Sequence, residues 1–283
     1  MRVVSLIETK GGVGKTTTAA NVGGFVADAG LRVLLLDLDV QPTLSSYFEL
    51  NKLASAGSYE LLAFNERDLE QLVSHTTIPN LDLIASNDDQ GHLGPLLLQT
   101  PDSRLRLRNL LPMFQQHYDL LLIDTPGTRS VLLEMAVIAS DLVVSPVTPE
   151  ILAAREFRRG TLQLLQDIPL YRNLGIQPPP LHLLINRVHP VSTDARQIQQ
   201  ALRQVFGCVR GVHVLCTTIP AITAYPCAAT HQLPVHRFER RKPSRRVAPA
   251  GLETMRALAC ELFPDWTERF AKVNGSGERQ HDR

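Results

Sequence analysis

The chain reads as an α/β protein, a doubly wound and mostly parallel sheet flanked by helices, and three observations predict it. Short apolar runs recur along the chain with helix-length stretches between them. The early runs are apolar at nearly every position rather than alternating, as in strands covered on both faces. They stop at a glycine-rich or aspartate-bearing turn, where open parallel sheets place ligands. With 283 residues, 44% hydrophobic and 20% charged, the chain buries an ample core without a disulfide or metal staple. One domain over residues 1–264 is expected, followed by a polar C-terminal tail at 265–283, with residues 177–180 (QPPP) as a weak seam. Nothing approaches 18 consecutive apolar residues, so no transmembrane helix is expected, and the first apolar run is too short for a signal peptide. The four cysteines (Cys208, Cys216, Cys227, Cys260) form no C-x-x-C pair and read as free thiols.

Residues 2–7 (RVVSLI) are the first predicted strand, residues 8–17 (ETKGGVGKTT) a glycine loop, and residues 18–29 a helix stopped at Gly30. Strand, glycine loop and helix form the context of a phosphate-binding loop. Backbone N–H groups must close on an anion without side-chain obstruction, which suits Gly11, Gly12 and Gly14 around Val13; the helix N-terminus adds partial positive charge. Lys15 can reach the β- and γ-phosphates, the Thr16 hydroxyl can ligate Mg2+, and Thr17 can bond the α-phosphate. Two of the chain's five lysines, Lys10 and Lys15, stand in this loop.

Residues 31–38 (LRVLLLDL) form the second strand and deliver Asp37 and Asp39, which share a face because they are two apart. Residues 118–123 (YDLLLI) form the third and run into Asp124-Thr125-Pro126-Gly127. An apolar run followed by a carboxylate is the Walker B arrangement, with Asp124 the natural Mg2+ partner through a bound water. Further strands at 142–145, 181–185 and 212–216 alternate with helices at 151–167 and 194–206, before a final helix at 248–263.

The formal charge is +1, from 29 basic and 28 acidic residues. Divided along the chain, residues 187–256 carry +8 and the remainder −7. The densest run holds Arg237, Arg240, Arg241, Lys242, Arg245 and Arg246. Such clusters suit phosphate contacts, which give sequence-independent, salt-sensitive affinity; standing alone, a run of this kind is more often a solvated loop.

KGGVGKTT resembles the deviant Walker A motif of the ParA/MinD superfamily of P-loop NTPases, and the resemblance extends along most of the chain. It implies ATP and Mg2+ as cofactors and a slow, partner-stimulated ATPase. The ATP-bound form would be a sandwich homodimer in which Lys10 reaches the partner's nucleotide. It matches Asp39 to the residue that positions the attacking water, Asp37 to Mg2+ and its waters, Asn186 to an adenine-bonding asparagine, and Pro220 to a loop beside the base. The basic C-terminal segment would bind double-stranded DNA non-specifically, a ParB-like partner would stimulate hydrolysis, and the protein would be cytoplasmic and nucleoid-associated. Three departures stand out: Thr9 occupies the usual first-glycine position, residues 39–42 read DVQP instead of DPQG, and Pro126 is followed by Gly127 instead of proline. The stretches LSSYF and PVTPE to AAREFRRG resemble ParA proteins of mobile elements. A MinD-like membrane-positioning ATPase is the runner-up, weakened because AKVNGSGERQHDR is polar and glycine-broken where MinD proteins carry an amphipathic helix. A small-molecule ligase or iron–sulfur carrier on the same scaffold is the third class; carriers need cysteines that the Walker B and switch regions lack. His231, His236 and Cys227 match no standard metal-ligand spacing.

Overall fold

The computed structural model describes residues 1–168 and 175–273. In chain order, β1 (Arg2–Leu6) leads through the glycine loop into α1 (Lys15–Asp28) and β2 (Val33–Asp37). Next come β3 (Leu50–Lys52), α2 (Ser58–Ala63), α3 (Leu69–Leu72), β4 (Ser74–Thr76), β5 (Leu81–Ile84), α4 (Leu93–Leu98) and α5 (Arg106–Leu110). The middle holds β6 (Leu120–Asp124), α6 (Val131–Ala139), β7 (Leu142–Val147), α7 (Ile151–Phe157) and α8 (Gln163–Asp167). The last part holds β8 (Leu181–Val188), α9 (Thr193–Gly207), β9 (Val212–Pro220), α10 (Ala224–Thr230), α11 (Val235–Phe238), α12 (Gly251–Leu262) and α13 (Thr267–Ala271).

The nine strands form one sheet in the order β3-β4-β5-β2-β6-β1-β7-β8-β9. From β5 to β9 every neighbouring pair is parallel; β3, β4 and β5 pair antiparallel at one edge. The parallel region confirms the doubly wound expectation. The antiparallel edge was not legible in the sequence because β3 (LNK) and β4 (SHT) are three-residue polar segments with no apolar run.

Alternation along the buried strands assigns each residue to a layer. Leu35 and Leu122 pack with α1 and α12 through Phe25 and Met255, whereas Leu34, Leu36, Leu121 and Ile123 face a second core with Met135 of α6 and Phe114. A third core joins Val143 and Leu183 to Phe157 of α7 and Phe206 of α9. Because both faces are covered, β2 and β6 are buried at every position.

Several boundaries differ from the sequence reading, and β8 and β9 run three and four residues past their expected ends at 185 and 216. α1 begins at Lys15, three residues early, because the glycine loop feeds directly into the first helical turn. The single helix expected at 151–167 is interrupted by a π-helical turn at Arg158–Leu162. Gly160 lies in that turn, and a Cβ there would sit 1.8 Å from Thr9 Oγ1, so only glycine lets the helix approach the loop so closely. The polar tail expected from residue 265 does not begin there: Phe270 is fully buried and Val273 nearly so, both in the core beneath α1. Residues 274–283 of that expected tail lie outside the described residues.

Candidate functional site

The site forms at the C-terminal ends of the central parallel strands, where β1 separates its neighbours β6 and β7. The chain leaves β1 at Leu6 and turns through Gly12 and Gly14, whose φ values of 76° and 97° lie in the left-handed region. Gly14 has a second constraint: a Cβ there would come within 2.3 Å of the Asn186 side-chain nitrogen. The loop therefore rests on Asn186, whose Nδ2 donates to the Val13 carbonyl at 2.7 Å. Lys15, the first residue of α1, is 6% exposed, and Thr18 closes the first turn by donating its hydroxyl to the Gly14 carbonyl.

Two strand ends bring carboxylates to this loop. Asp37 of β2 and Asp124 of β6 stand in register on adjacent strands and are fully buried. Thr16 donates its hydroxyl to Asp124 Oδ2 at 2.5 Å, while Asp124 Oδ1 has no partner among the described residues. Burial pushes the Asp124 carboxyl up to about 7, with the neighbouring Asp37 charge adding to the rise; burial likewise raises Asp37 to about 6. A hydroxyl, an orphaned carboxylate oxygen and accumulated negative charge fit a divalent cation, which favours hard oxygen donors. Thr16 and Asp124 would hold Mg2+ here.

Asp37 has bonds beyond the part expected of it. Its Oδ1 accepts from the Asp39 backbone, and its Oδ2 accepts from both the backbone and the hydroxyl of Ser45. The carboxylate thus shapes the loop at 39–45, with Ser45 the partner that sequence reasoning missed. Asp39, half-buried beyond the strand end, accepts from the Gln41 backbone through Oδ1 at 3.1 Å.

Beside the loop, a cavity of about 430 Å³ is walled by Gly14, Thr17, Asn186, Pro220, Ile222 and Tyr225. The expected base-side residues Asn186 and Pro220 are brought together with the phosphate loop, although Asn186 lies within β8 instead of after it. Its amide oxygen accepts from the Arg187 backbone, which leaves one Nδ2 hydrogen for a ligand. Tyr225 and Ile222 were missed, since nothing in their spacing ties them to a loop two hundred residues away.

Lys10 is paired with acids of the α7 region. Its Nζ lies 3.6 Å from Glu156, in the last turn of α7, and 3.9 Å from Glu150, the residue that precedes the helix. The basic run divides. Arg237 forms a bidentate pair with Asp28 at the end of α1, where His236 also bonds the same carboxylate. Burial alone would raise the Asp28 carboxyl, but these bonds outweigh it and hold it at about 2. Arg246 forks onto Glu239 with two 2.6 Å bonds and reaches the Ala248 and Pro249 carbonyls. The expectation that Arg237 and Arg246 serve DNA is thereby corrected: both are spent on internal ion pairs. Arg241, Lys242 and Arg245 are exposed.

A phosphate loop at the mouth of a parallel sheet, with a Walker B carboxylate bonded to the loop threonine, defines a P-loop nucleotide-binding protein, and the AAA domain family matches residues 1–174. The sporulation initiation inhibitor protein Soj of Bacillus subtilis is 30% identical over 265 residues, covering 91% of this chain and 98% of Soj. The chromosome partitioning protein ParA of Caulobacter vibrioides is 33% identical over 214 residues, covering 73% of this chain and 77% of that protein. Among solved structures, cobyrinic acid a,c-diamide synthase from Mycobacterium smegmatis, with bound ATP analogue and magnesium, has a TM-score of 0.68 at 25% identity, covering 88% of this chain and 99% of that one. The chain belongs to the ParA/Soj-like ATPases of the ParA/MinD superfamily.

Proposed function

We propose that the chain is an ATP-driven partition switch: Mg2+-ATP closes two copies into a sandwich dimer, the dimer holds double-stranded DNA non-specifically, and a ParB-like partner triggers hydrolysis and release. The observation that carries this reading is the Thr16–Asp124 pair with its orphaned oxygen, directly beside the left-handed glycine loop and Lys15. Mg2+ supplies charge neutralisation for the phosphates when bound. The loop amides and Lys15 bind and orient the γ-phosphate, which is the main contribution a protein makes to phosphoryl transfer. Asp39 holds the attacking water, its position supported by the Gln41 and Asp37 bonds that anchor the loop. Lys10 leaves Glu150 and Glu156 to meet the partner's nucleotide. Arg241, Lys242 and Arg245 supply the DNA surface, and the assembly is nucleoid-associated.

The deciding experiment is DNA retention with ATP, with ADP and without nucleotide, across a salt series. Retention specific to ATP, with affinity falling steeply as salt rises, is the expected result; equal retention in all three states would remove the switch. The likeness to the diamide synthase favours a second reading, a small-molecule ligase on the same scaffold. Hydrolysis that responds to DNA and a protein partner, and not to a small carboxylic acid with an amide donor, separates the two.

A further inference from the structure

One face of the molecule carries features that the nucleotide site does not use. α7, the π turn and α9 enclose a groove of about 430 Å³ whose floor includes Ile151, Ala154, Ile198, Ala201, Val205 and Phe206. Ile151 is 61% exposed and Val205 56%, with Leu152 beside them at 65%. Single exposed aliphatic residues are ordinary, but several around one concavity mark an interaction surface. Arg155 and Arg158 form the rim, and Arg159 follows. All three are exposed, and none has an acidic partner among the described residues. The acids of this stretch, Glu150 and Glu156, are turned to Lys10.

An aliphatic floor asks for aliphatic side chains, and a cationic rim asks for carboxylates. A helix carrying one stripe of each answers both, which is the helix-in-groove mode of recognition. A second copy seated here by a two-fold axis would set the same arginines against each other, a costly juxtaposition. DNA would satisfy the arginines but press phosphates against Ile151 and Val205. We propose that the groove between α7 and α9 docks an acidic amphipathic helix from a partner protein.

The groove is joined to the phosphate loop through the inner side of the same helical stretch. Gly160 abuts Thr9, and Glu156 sits beside Lys10, so a ligand that shifts α7 and the π turn acts on the first residues of the loop. A π turn inside an α-helix is frequently a functional feature, because one extra residue per turn re-aims the neighbouring side chains. This regulatory consequence rests on the partition-switch reading; the docking itself does not.

The test uses the full chain and two synthetic helical peptides with an identical leucine stripe, one flanked by glutamates and one by lysines, followed by fluorescence anisotropy. The glutamate peptide is expected to bind at least about tenfold more tightly, a difference of roughly 1.4 kcal/mol. Arg155→Glu with Arg158→Glu should invert the preference, and Val205→Asp should weaken both peptides. Binding of a fluorescent ATP analogue to each variant reports that the fold is intact. Equal binding of the two peptides, no inversion in the double variant, or displacement of the glutamate peptide by duplex DNA overturns the proposal. ATP-dependent DNA retention on the same preparations keeps the two readings apart: its loss in the wild type removes the switch and leaves the groove, whereas lost peptide discrimination does the reverse.

Discussion

The phosphate loop at residues 8–17 and the arginine run at 237–246 both look cationic in sequence, yet the fold uses their charges differently. In the loop, Gly12 and Gly14 turn left-handed, Lys15 begins α1 and Thr16 meets Asp124, while Lys10 alone is drawn to Glu150 and Glu156. In the arginine run, Arg237 is consumed by Asp28 and Arg246 by Glu239, while Arg241, Lys242 and Arg245 stay exposed. A site defined by backbone geometry is encoded locally, because a few adjacent residues set the dihedral angles. A surface defined by charge depends on acids elsewhere in the chain, and one of these, Asp28, lies 209 residues from its arginine.

The comparison can be broken most forcefully at Lys15. Lys15→Ala should lower nucleotide affinity by on the order of 100-fold or more, measured with a fluorescent ATP analogue, because the phosphates lose their nearest fixed cation in a mostly buried site. Asp39→Ala should keep ATP-driven dimerisation, read by size-exclusion chromatography with light scattering, while turnover falls by about 10² to 10³. Normal turnover would remove that residue from the reaction.

The arginine run offers a sharper contrast. Arg246→Ala leaves the half-buried Glu239 with the Gly251 amide but no counter-charge and should cost about 2 kcal/mol in urea unfolding. Arg241→Ala should stay within about 0.5 kcal/mol of wild type and instead lower the salt dependence of DNA binding. Equal destabilisation by both would erase the division between structural and available arginines.

A further contrast concerns pH. Asp37 and Asp124 have carboxyl groups raised by folding, to about 6 and about 7. The nucleotide-free protein is therefore favoured by protonation: this contribution is complete below about 4 and is lost as pH rises through 6 to 7. Asp124→Asn should raise the melting temperature at pH 8 by about 3 °C without nucleotide, yet forfeit the stabilisation that Mg2+-ATP gives the wild type. An unchanged melting temperature in the apo variant would mean that Asp124 carries no such strain.

The central parallel strands and the phosphate loop could be read because aliphatic runs and glycine spacing are local signals. The antiparallel edge could not, since β3 and β4 owe their pairing to β5 and to no hydrophobic pattern of their own. Asp37 was recognisable as a strand-end carboxylate, but that Ser45 would occupy it depends on how the loop at 39–45 folds back. Tyr225, in α10, and Ile222, just before it, meet Gly14 and Thr17 at the cavity only through the tertiary fold. The burial of Phe270 was masked by its neighbours Glu268, Arg269 and Lys272, which made a buried helical turn look like a polar tail.

The placement of β1 has a consequence for how the protein is made. This strand is synthesised before both of its strand partners, β6 at residues 120–124 and β7 at residues 142–147, and the loop that follows it rests on Asn186. At ribosomal speeds of roughly 5–20 residues per second, the glycine loop waits on the order of ten seconds or longer for the parts that hold it. A nascent chain therefore carries the ATP signature long before it owns an ATP site. Nucleotide binding becomes a report that the sheet has closed around β1.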